Sequence, residues 1–392
     1  MKICIVHNEY RVLGGEDVVV RATVDLLLRN GQQVRCFTGN SSDIESRRFG
    51  KFKAFFSGIY SSSSRKRWKR FLSEERPDIV HVHNLYPLIS PSILCECGES
   101  RIPVVMTVHN FRLICPNGLL FSNGKPCDKC LGGREYWCVL KNCEKDIFKS
   151  TGYALRNYVA RKKRWFIDNV TLFIALTEFQ RRMLVSEGFP SERIDVIPNM
   201  TDLSPLDASP PMGDYVAYVG RVSPEKGIPT LLEAARLCPD IPFRFAGAVD
   251  SMLGNVSRAS PNCTFLGKLS KTELFSFYAS AKFLVLPSIC YEGFPLSLIE
   301  AMSQSKAVIC SRIGGLPEIV EEGVTGRLFE PGNSTELAEI IRDLWSRRDI
   351  VRAMGRAGRD KAQRDYSPEK YTNRLMSVYE KATKVISSTS SN

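Results

Sequence analysis

The sequence of 392 residues predicts an α/β protein built as two Rossmann-like, doubly wound domains facing a central cleft. Three observations carry this. Short apolar, β-branched runs alternate with longer amphipathic stretches, which is the grammar of βαβ units. That grammar stops at a segment rich in Pro, Ser and Asp, Thr201–Asp214, and then restarts. The length also suits two domains of roughly 100–200 residues each.

In the first half, Ile3–Val6, Val34–Phe37, Ile79–Val82, Val104–Val108, Leu172–Ala175 and Ile194–Ile197 read as strands buried on both faces. Between the first two, Glu16–Arg29 places Val19, Val20, Val24, Leu27 and Leu28 at helical spacing, and Gly31 follows as a stop. In the second half, Tyr215–Val219, Phe243–Ala246, Thr264–Leu266, Phe283–Pro287 and Ala307–Cys310 read as strands. Gly227–Leu237, Lys271–Ala279 and Leu296–Gln304 read as the helices between them. A last helix, Pro368–Ile386, is expected to return to the first domain, and the tail Ser387–Asn392 to fray. The domains are thus drawn at 1–200, with a cysteine-rich insertion at 115–145, and at 201–367, with 368–392 returning.

Composition is that of a folded globular chain: 43% hydrophobic and 24% charged residues. No apolar run is long enough for a membrane-spanning helix, and the N-terminal apolar run is too short for a signal peptide. With 13 cysteines and no export signal, a reducing cytoplasm is expected. The net charge of +12 is lopsided. Residues 1–200 hold 31 Lys and Arg against 20 Asp and Glu, whereas the rest of the chain holds 23 against 22. A basic field of this kind suits nucleic acid, an anionic membrane surface or a phosphate-bearing substrate.

Gly220-Arg221-Val222-Ser223-Pro224-Glu225-Lys226-Gly227 follows a strand and opens a helix. Two cations and a helix N-terminus then converge, a combination suited to a diphosphate. Further on, Tyr291-Glu292-Gly293-Phe294-Pro295-Leu296-Ser297-Leu298-Ile299-Glu300 follows strand Phe283–Pro287. Pro295 fits the first turn of a helix, and Gly293 and Phe294 offer amides at its N-terminus. Glu300 lies among Leu298, Ile299, Ala301 and Met302. A carboxylate in so apolar a helix needs a partner, for which sugar or ribose hydroxyls are suited.

This G-R-x4-K-G and E-G-F-P-L-S-L-I-E-A-M pair resembles the retaining glycosyltransferases of family 4, which have the GT-B fold. The resemblance extends through Gly14-Gly15-Glu16, Pro77-Asp78-Ile79-Val80-His81-Val82-His83-Asn84, Thr107-Val108-His109-Asn110, Ala175-Leu176-Thr177-Glu178-Phe179, Ile197-Pro198-Asn199, Leu286-Pro287-Ser288 and Gly314-Gly315-Leu316-Pro317-Glu318-Ile319. It implies a nucleotide-sugar donor. Arg221 and Lys226 would neutralise the leaving diphosphate, with the amides of Gly293, Phe294 and Leu296 beside it. Glu300 would take the ribose and Glu292 the transferred sugar. Gly14 and Gly15 would let the first βα loop approach the diphosphate, and His109 would stand at the reaction centre. It further implies no metal requirement for catalysis, a first domain on the acceptor side and a second on the donor side. Glu292 and Glu300 are not read as a glycosidase pair. The chain departs from the family pattern at Asn199-Met200-Thr201-Asp202 and at Ala246-Gly247-Ala248-Val249-Asp250.

All four histidines, His7, His81, His83 and His109, fall at or near strand C-ends of the first domain. His81 and His83 share a strand face. Of the four, His109 is the candidate for catalysis. Cys127, Cys130, Cys138 and Cys143 have spacings that can wrap a tetrahedral structural zinc, the alternative being reduced thiols. The segment around them, Asn110–Cys143, resembles a subset of these enzymes found in surface-polysaccharide assembly.

Lys51–Phe56, Arg65–Phe71 and Arg161–Phe166 interleave cations with aromatics. They read as segments that lie on an anionic inner-membrane surface or as solvated helix faces with the aromatics turned inward. With the family pattern, the expected acceptor is a glycan or polyprenyl-diphosphate-linked glycan, and the expected location is cytoplasmic, peripheral to the inner face of the membrane. A sugar-nucleotide epimerase or glycogen-synthase-like enzyme on the same fold is the rival enzyme. A nucleic-acid-binding protein is the rival of another class, but no helix-turn-helix or aromatic RNP-type motif supports it, and nucleic acid is not expected as a partner.

Overall fold

A computed structural model describes residues 1–9, 14–40, 58–202, 213–250, 253 and 260–389. The segment Lys51–Phe56 and most of the expected linker lie outside these residues, as do residues 390–392. The chain divides into two compact units. One comprises Met1–Leu120, Cys127–Pro198 and Tyr371–Asn392, the other Phe121–Pro126 and Asn199–Lys370.

The first unit is built on β1 (Lys2–Glu9), α1 (Gly15–Arg29), β2 (Gln33–Asn40), α2 (Ser62–Glu75), β3 (Ile79–Asn84), α3 (Ser92–Glu99) and β4 (Val104–Thr107). The two-residue strands β5 (Phe121–Ser122) and β6 (Lys125–Pro126) fall in the stretch that groups with the second unit; the first unit then continues with α4 (Tyr136–Leu140), α5 (Ile147–Lys162), α6 (Trp165–Asn169), β7 (Leu172–Ala175), α7 (Glu178–Ser186) and β8 (Ile194–Val196). The sheet order is β2-β1-β3-β4-β7-β8 with all pairs parallel. β3, β4 and β7 are buried along their whole lengths, as strands covered on both faces must be. The chain leaves β1 to one side for β2 and returns on the other for β3, which makes the β1/β3 junction a topological switch point.

The second unit runs β9 (Val216–Val219), α8 (Ile228–Leu237), β10 (Phe243–Ala246), β11 (Cys263–Gly267), α9 (Lys271–Ala279), β12 (Phe283–Leu286), α10 (Leu296–Ser303), β13 (Ala307–Ser311), α11 (Leu316–Ile319), β14 (Gly326–Phe329), α12 (Ser334–Ser346) and α13 (Arg348–Tyr366). Its parallel sheet has the order β11-β10-β9-β12-β13-β14, the 3-2-1-4-5-6 order of a Rossmann sheet with its switch point between β9 and β12. The sequence reading left α12 and α13 unassigned. Both carry an apolar stripe, including Leu337, Ile341 and Leu344 on α12, that is buried.

The last helix, α14 (Pro368–Thr389), runs beyond the expected end at Ile386. From Tyr371 onward it belongs to the first unit. Tyr371 Oη lies 3.1 Å from Thr23 Oγ1, Tyr379 Oη 2.7 Å from His81 Nδ1, and Lys381 Nζ 2.9 Å from Asp195 Oδ2.

Two aromatics of the described basic segments, Trp68 and Phe166, point inward, whereas Phe71 and Trp165 are half-buried. Trp68 on α2 is fully buried, stacked on Phe71 and edge-on to Phe37, while Phe166 is buried beneath Arg161–Arg164. On α2 helical spacing turns Trp68 away from most of the neighbouring cations, while Phe166 belongs to the separate short helix α6. Trp68 and Phe166 are not available to a membrane surface.

Candidate functional site

In the second unit the sequence motifs meet at the β9/β12 switch point, where ligands of open α/β sheets bind. The loop after β9 is fastened to the loop after β12. Gly227 has φ +71°, and a Cβ there would stand 1.8 Å from the Pro287 carbonyl oxygen, so only glycine permits this approach. The Ile289 amide donates to the Glu225 carbonyl at 3.1 Å. On the other flank, Gly247 packs so closely on Gly220 that a Cβ would lie 1.8 Å from the Gly220 oxygen. The unusual Ala246-Gly247-Ala248 turn therefore keeps the one glycine this crossing requires.

This fastening aligns Lys226 with Glu292. Lys226 Nζ donates to both Glu292 oxygens at 2.7 Å, and Ser288 Oγ donates to Glu292 Oε1 at 2.5 Å. Burial disfavours the charged lysine, but the Glu292 carboxylate outweighs it and holds the Lys226 pKa above the ordinary value. Arg221 is about half exposed and pairs with Glu225, which also accepts from Ser223 Oγ at 2.8 Å. The two expected cations are thus brought together, each with a carboxylate of its own. Neither partnership was anticipated from the motif, although Glu225 lies within it.

Helix α10 begins at Leu296, with Pro295 as the cap residue rather than in the first turn, because Pro295 holds an extended backbone with ψ 116°. Phe294 is buried against the Tyr366 ring. One turn into α10, Glu300 accepts from Tyr278 Oη at 2.8 Å. Burial pushes the Glu300 carboxyl up, and the Tyr278 hydroxyl pulls it part of the way back. Tyr278 is a site residue that sequence reasoning missed. Its position inside α9 gives no local sign that its hydroxyl faces α10.

Arg221 and Lys226 stand close enough to interact, and their carboxylate partners keep the loop close to neutral. Glu300 adds a hydroxyl acceptor in a desolvated setting.

In the first unit all four histidines gather at the C-ends of β1, β3 and β4, around the β1/β3 switch point. His7 Nε2 donates to Asp17 Oδ1 at 2.8 Å, and the other oxygen of Asp17 accepts the Gly14 amide at 2.8 Å. Gly14 caps α1 and Gly15 is its first residue, so Asp17 ties the glycine turn to the histidine cluster. His81 is held between Tyr379 Oη and Thr107 Oγ1, at 2.7 and 2.8 Å. His83 Nδ1 and His109 Nε2 are 2.8 Å apart with their rings stacked. Burial lowers the pKa of His81 and of His109 to about 3 and that of His83 well below its usual value. All three imidazoles are therefore neutral at physiological pH. His83 Nε2 is buried with no hydrogen-bond partner.

The cysteines gather too. Cys130, Cys138 and Ala154 form a small core, covered by Trp137, Val139 and Cys143, that props α4 on α5. A hydrogen bond with Cys143, then burial, raises the Cys138 thiol far above its usual pKa. Burial leads in pushing Cys130 up to about 12. Lys141 Nζ lies 3.3 Å from Cys127 Sγ. Among the described residues no three or more His, Cys, Asp or Glu side chains are arranged as a group that could hold a metal ion, although Cys130 lies within electrostatic reach of Cys115, Cys127 and Cys143.

Comparison with known proteins agrees with this architecture. Residues 13–205 match Glycosyltransferase Family 4, and residues 206–361 match Glycosyl transferases group 1. The chain is 34% identical over 333 residues to an uncharacterized glycosyltransferase of Methanocaldococcus jannaschii, covering 83% of this chain and 82% of that one. It is 28% identical over 253 residues to O-antigen chain mannosyltransferase B of Escherichia coli, covering 57% of this chain and 64% of the relative. Among solved structures, Anabaena HepE in complex with UDP and glucose superposes with a TM-score of 0.69 at 18% identity, covering 97% of this chain and 100% of that chain. Two parallel Rossmann-like sheets, matches to both family halves and a relative aligned over most of both chains together show that the chain belongs to the group 1 glycosyltransferases, transferases with the GT-B fold.

Proposed function

We propose that the protein transfers a sugar, with retention, from a nucleoside-diphosphate donor to a glycan or polyprenyl-diphosphate-linked acceptor in surface-polysaccharide assembly. The observation that carries this is the pairing of Lys226 with Glu292 at the β9/β12 switch point, with Glu300 on the helix that follows the Glu292 loop. In this reading Arg221 and Lys226 take the donor diphosphate, joined by the amides of Gly293, Phe294 and Leu296. Glu300 accepts from the ribose hydroxyls, and Glu292 contacts the transferred sugar. Gly14 and Gly15 allow the first βα loop to approach the diphosphate, and His109 stands by the reacting carbon.

The bond from the anomeric carbon to the diphosphate oxygen breaks as the acceptor hydroxyl attacks from the same face, and its proton passes to the departing diphosphate. Positive charge grows on the sugar ring and negative charge on the leaving group. Prearranged cations and helix amides stabilise the latter without reorganising. His109, neutral by burial, can accept a hydrogen bond without adding charge that would oppose the oxocarbenium character of the ring. HepE, whose structure contains UDP and glucose, and an O-antigen mannosyltransferase among the relatives support a nucleotide-sugar donor and a polysaccharide product.

The test is thermal stabilisation by a panel of UDP-, GDP- and ADP-sugars, followed by transfer from the best donor to a polyprenyl-diphosphate-linked acceptor with the anomeric configuration read by NMR. Stabilisation by at least one donor, and a product of unchanged anomeric configuration, are expected. Tight binding to nucleic acid with no response to any nucleotide sugar would overturn the proposal.

A further inference from the structure

Helix α5 is amphipathic in the wrong sense for a helix that only packs on its own domain. Its buried side is made of Ser150, Gly152, Ala154, Arg156, Asn157 and Ala160. Its large apolar residues are turned out: Ile147 is 57% exposed, Tyr158 45% and Leu155 40%. At 100° per residue, Ile147, Leu155 and Tyr158 fall with Thr151 and Lys162 inside an arc of about 80°. Helix α4, which packs against α5, also exposes apolar residues, with Leu140 68% and Tyr136 54% exposed. Surface helices place their apolar stripe on the core. An outward stripe joined to a second helix is an interaction surface.

The surrounding charge identifies the partner. Residues 136–164 contain eight Lys and Arg and only two Asp and Glu. Arg156 is buried, whereas Lys145, Lys149, Lys162 and Lys163 are exposed. Apolar side chains and tyrosines interspersed with lysines, of which Lys149 is paired with Glu144, match the boundary between headgroups and acyl chains in an anionic bilayer, where long cationic side chains reach the phosphates. A second copy of the chain would bring the same positive charge against itself.

We propose that the α4–α5 face docks the protein on an anionic lipid bilayer. Its purpose rests on the lipid-linked acceptor of the proposed function, but its evidence is separate. The small core of Cys130, Cys138 and Ala154 then has a mechanical role, because it holds α4 and α5 as one rigid plate.

The experiment is co-sedimentation of the full chain with vesicles of phosphatidylcholine alone and of an equal mixture of phosphatidylcholine and phosphatidylglycerol, for the wild type and for Leu140→Glu/Leu155→Glu. Both substituted positions are exposed, and an unchanged melting temperature and nucleoside-diphosphate response check the fold. Wild-type protein is expected to sediment with the mixed vesicles only, and the variant to bind at least ~10-fold more weakly. Failure to bind the mixed vesicles, or equal binding by the variant, overturns the docking surface. So does self-association in sedimentation velocity that the variant abolishes without any vesicle binding. Absence of a nucleotide response in vesicle-bound wild type would instead count against the proposed function and leave the docking surface standing.

Discussion

Lys226 Nζ sits 2.7 Å from each carboxylate oxygen of Glu292, so the cation expected to meet the donor already has a full bidentate partner within its own domain. Removing Lys226 therefore does two things: it deletes the cation proposed to meet the donor diphosphate and strands a carboxylate that is 9% exposed. Lys226→Ala is expected to abolish transfer and to destabilise the protein by about 2 kcal/mol, below the full cost of a broken buried pair because Lys226 keeps part of its solvation. Lys226→Met/Glu292→Gln is expected to be as inactive but closer to wild type in melting temperature. Thermal denaturation beside a transfer assay checks both.

Glu300 and Tyr278 give a pH prediction. Burial raises the Glu300 pKa, so this carboxyl protonates at a higher pH than an ordinary glutamate, and nucleotide binding through its carboxylate is lost early on acidification. Because the Tyr278 hydrogen bond lowers that pKa, Tyr278→Phe is expected to move the loss of nucleotide affinity to higher pH. The sign for stability is opposite. A raised folded-state pKa makes ionisation of Glu300 cost stability as pH rises from its unfolded value through its folded one. Nucleotide titration calorimetry across mildly acidic pH reads the first effect.

The histidine cluster makes the first unit sensitive to acid. His81, His83 and His109 have folded-state pKa values below the unfolded value, so their neutral burial costs nothing above pH ~6.5 and is opposed by protonation of the unfolded chain below it. Each lowers stability by about 1.4 kcal/mol per pH unit from there toward its folded value. A steep fall in melting temperature between pH ~6 and ~4 is expected, with a shallower fall in His83→Phe. A melting temperature that stays flat over that range would contradict it.

Gly227 tests the fastening of the two loops. Gly227→Ala places a methyl group against the Pro287 carbonyl at φ +71° and is expected to cost at least ~3 kcal/mol along with nucleotide binding. Gly31 has a similar φ of +74° and open space around it, so Gly31→Ala is expected to cost only about 1 kcal/mol. Urea denaturation of the two variants separates conformational strain from collision.

The fold was legible because parallel strands advertise themselves locally: Val80, Val82, Val104 and Val105 need only be apolar and β-branched. The site was legible to the depth of its loops. Arg221, Lys226, Glu292 and Glu300 stand in two short stretches whose glycines and proline set the turns. What stayed hidden was the set of partners. Tyr278 reaches Glu300 from another helix, Tyr379 reaches His81 across 298 positions, and Trp68 turns inward among cations because Phe37 waits there. Such contacts depend on how elements pack, and no spacing within a segment encodes them. The same gap hid the outward stripe of α5, whose buried side is unusually small and polar.

The hydrogen bonds from Tyr371 to Thr23 and from Tyr379 to His81 have a consequence for biosynthesis. A ribosome delivers the strands of the first sheet early, yet the helix that seals them is made only after the entire second unit. The β1/β3 end of the first sheet must wait incomplete, with His81 lacking one of its two partners, while some 170 intervening residues are translated. The N-terminal half is thus the first to be made and the last to be finished, and a truncation that ends before Tyr371 would leave it permanently open.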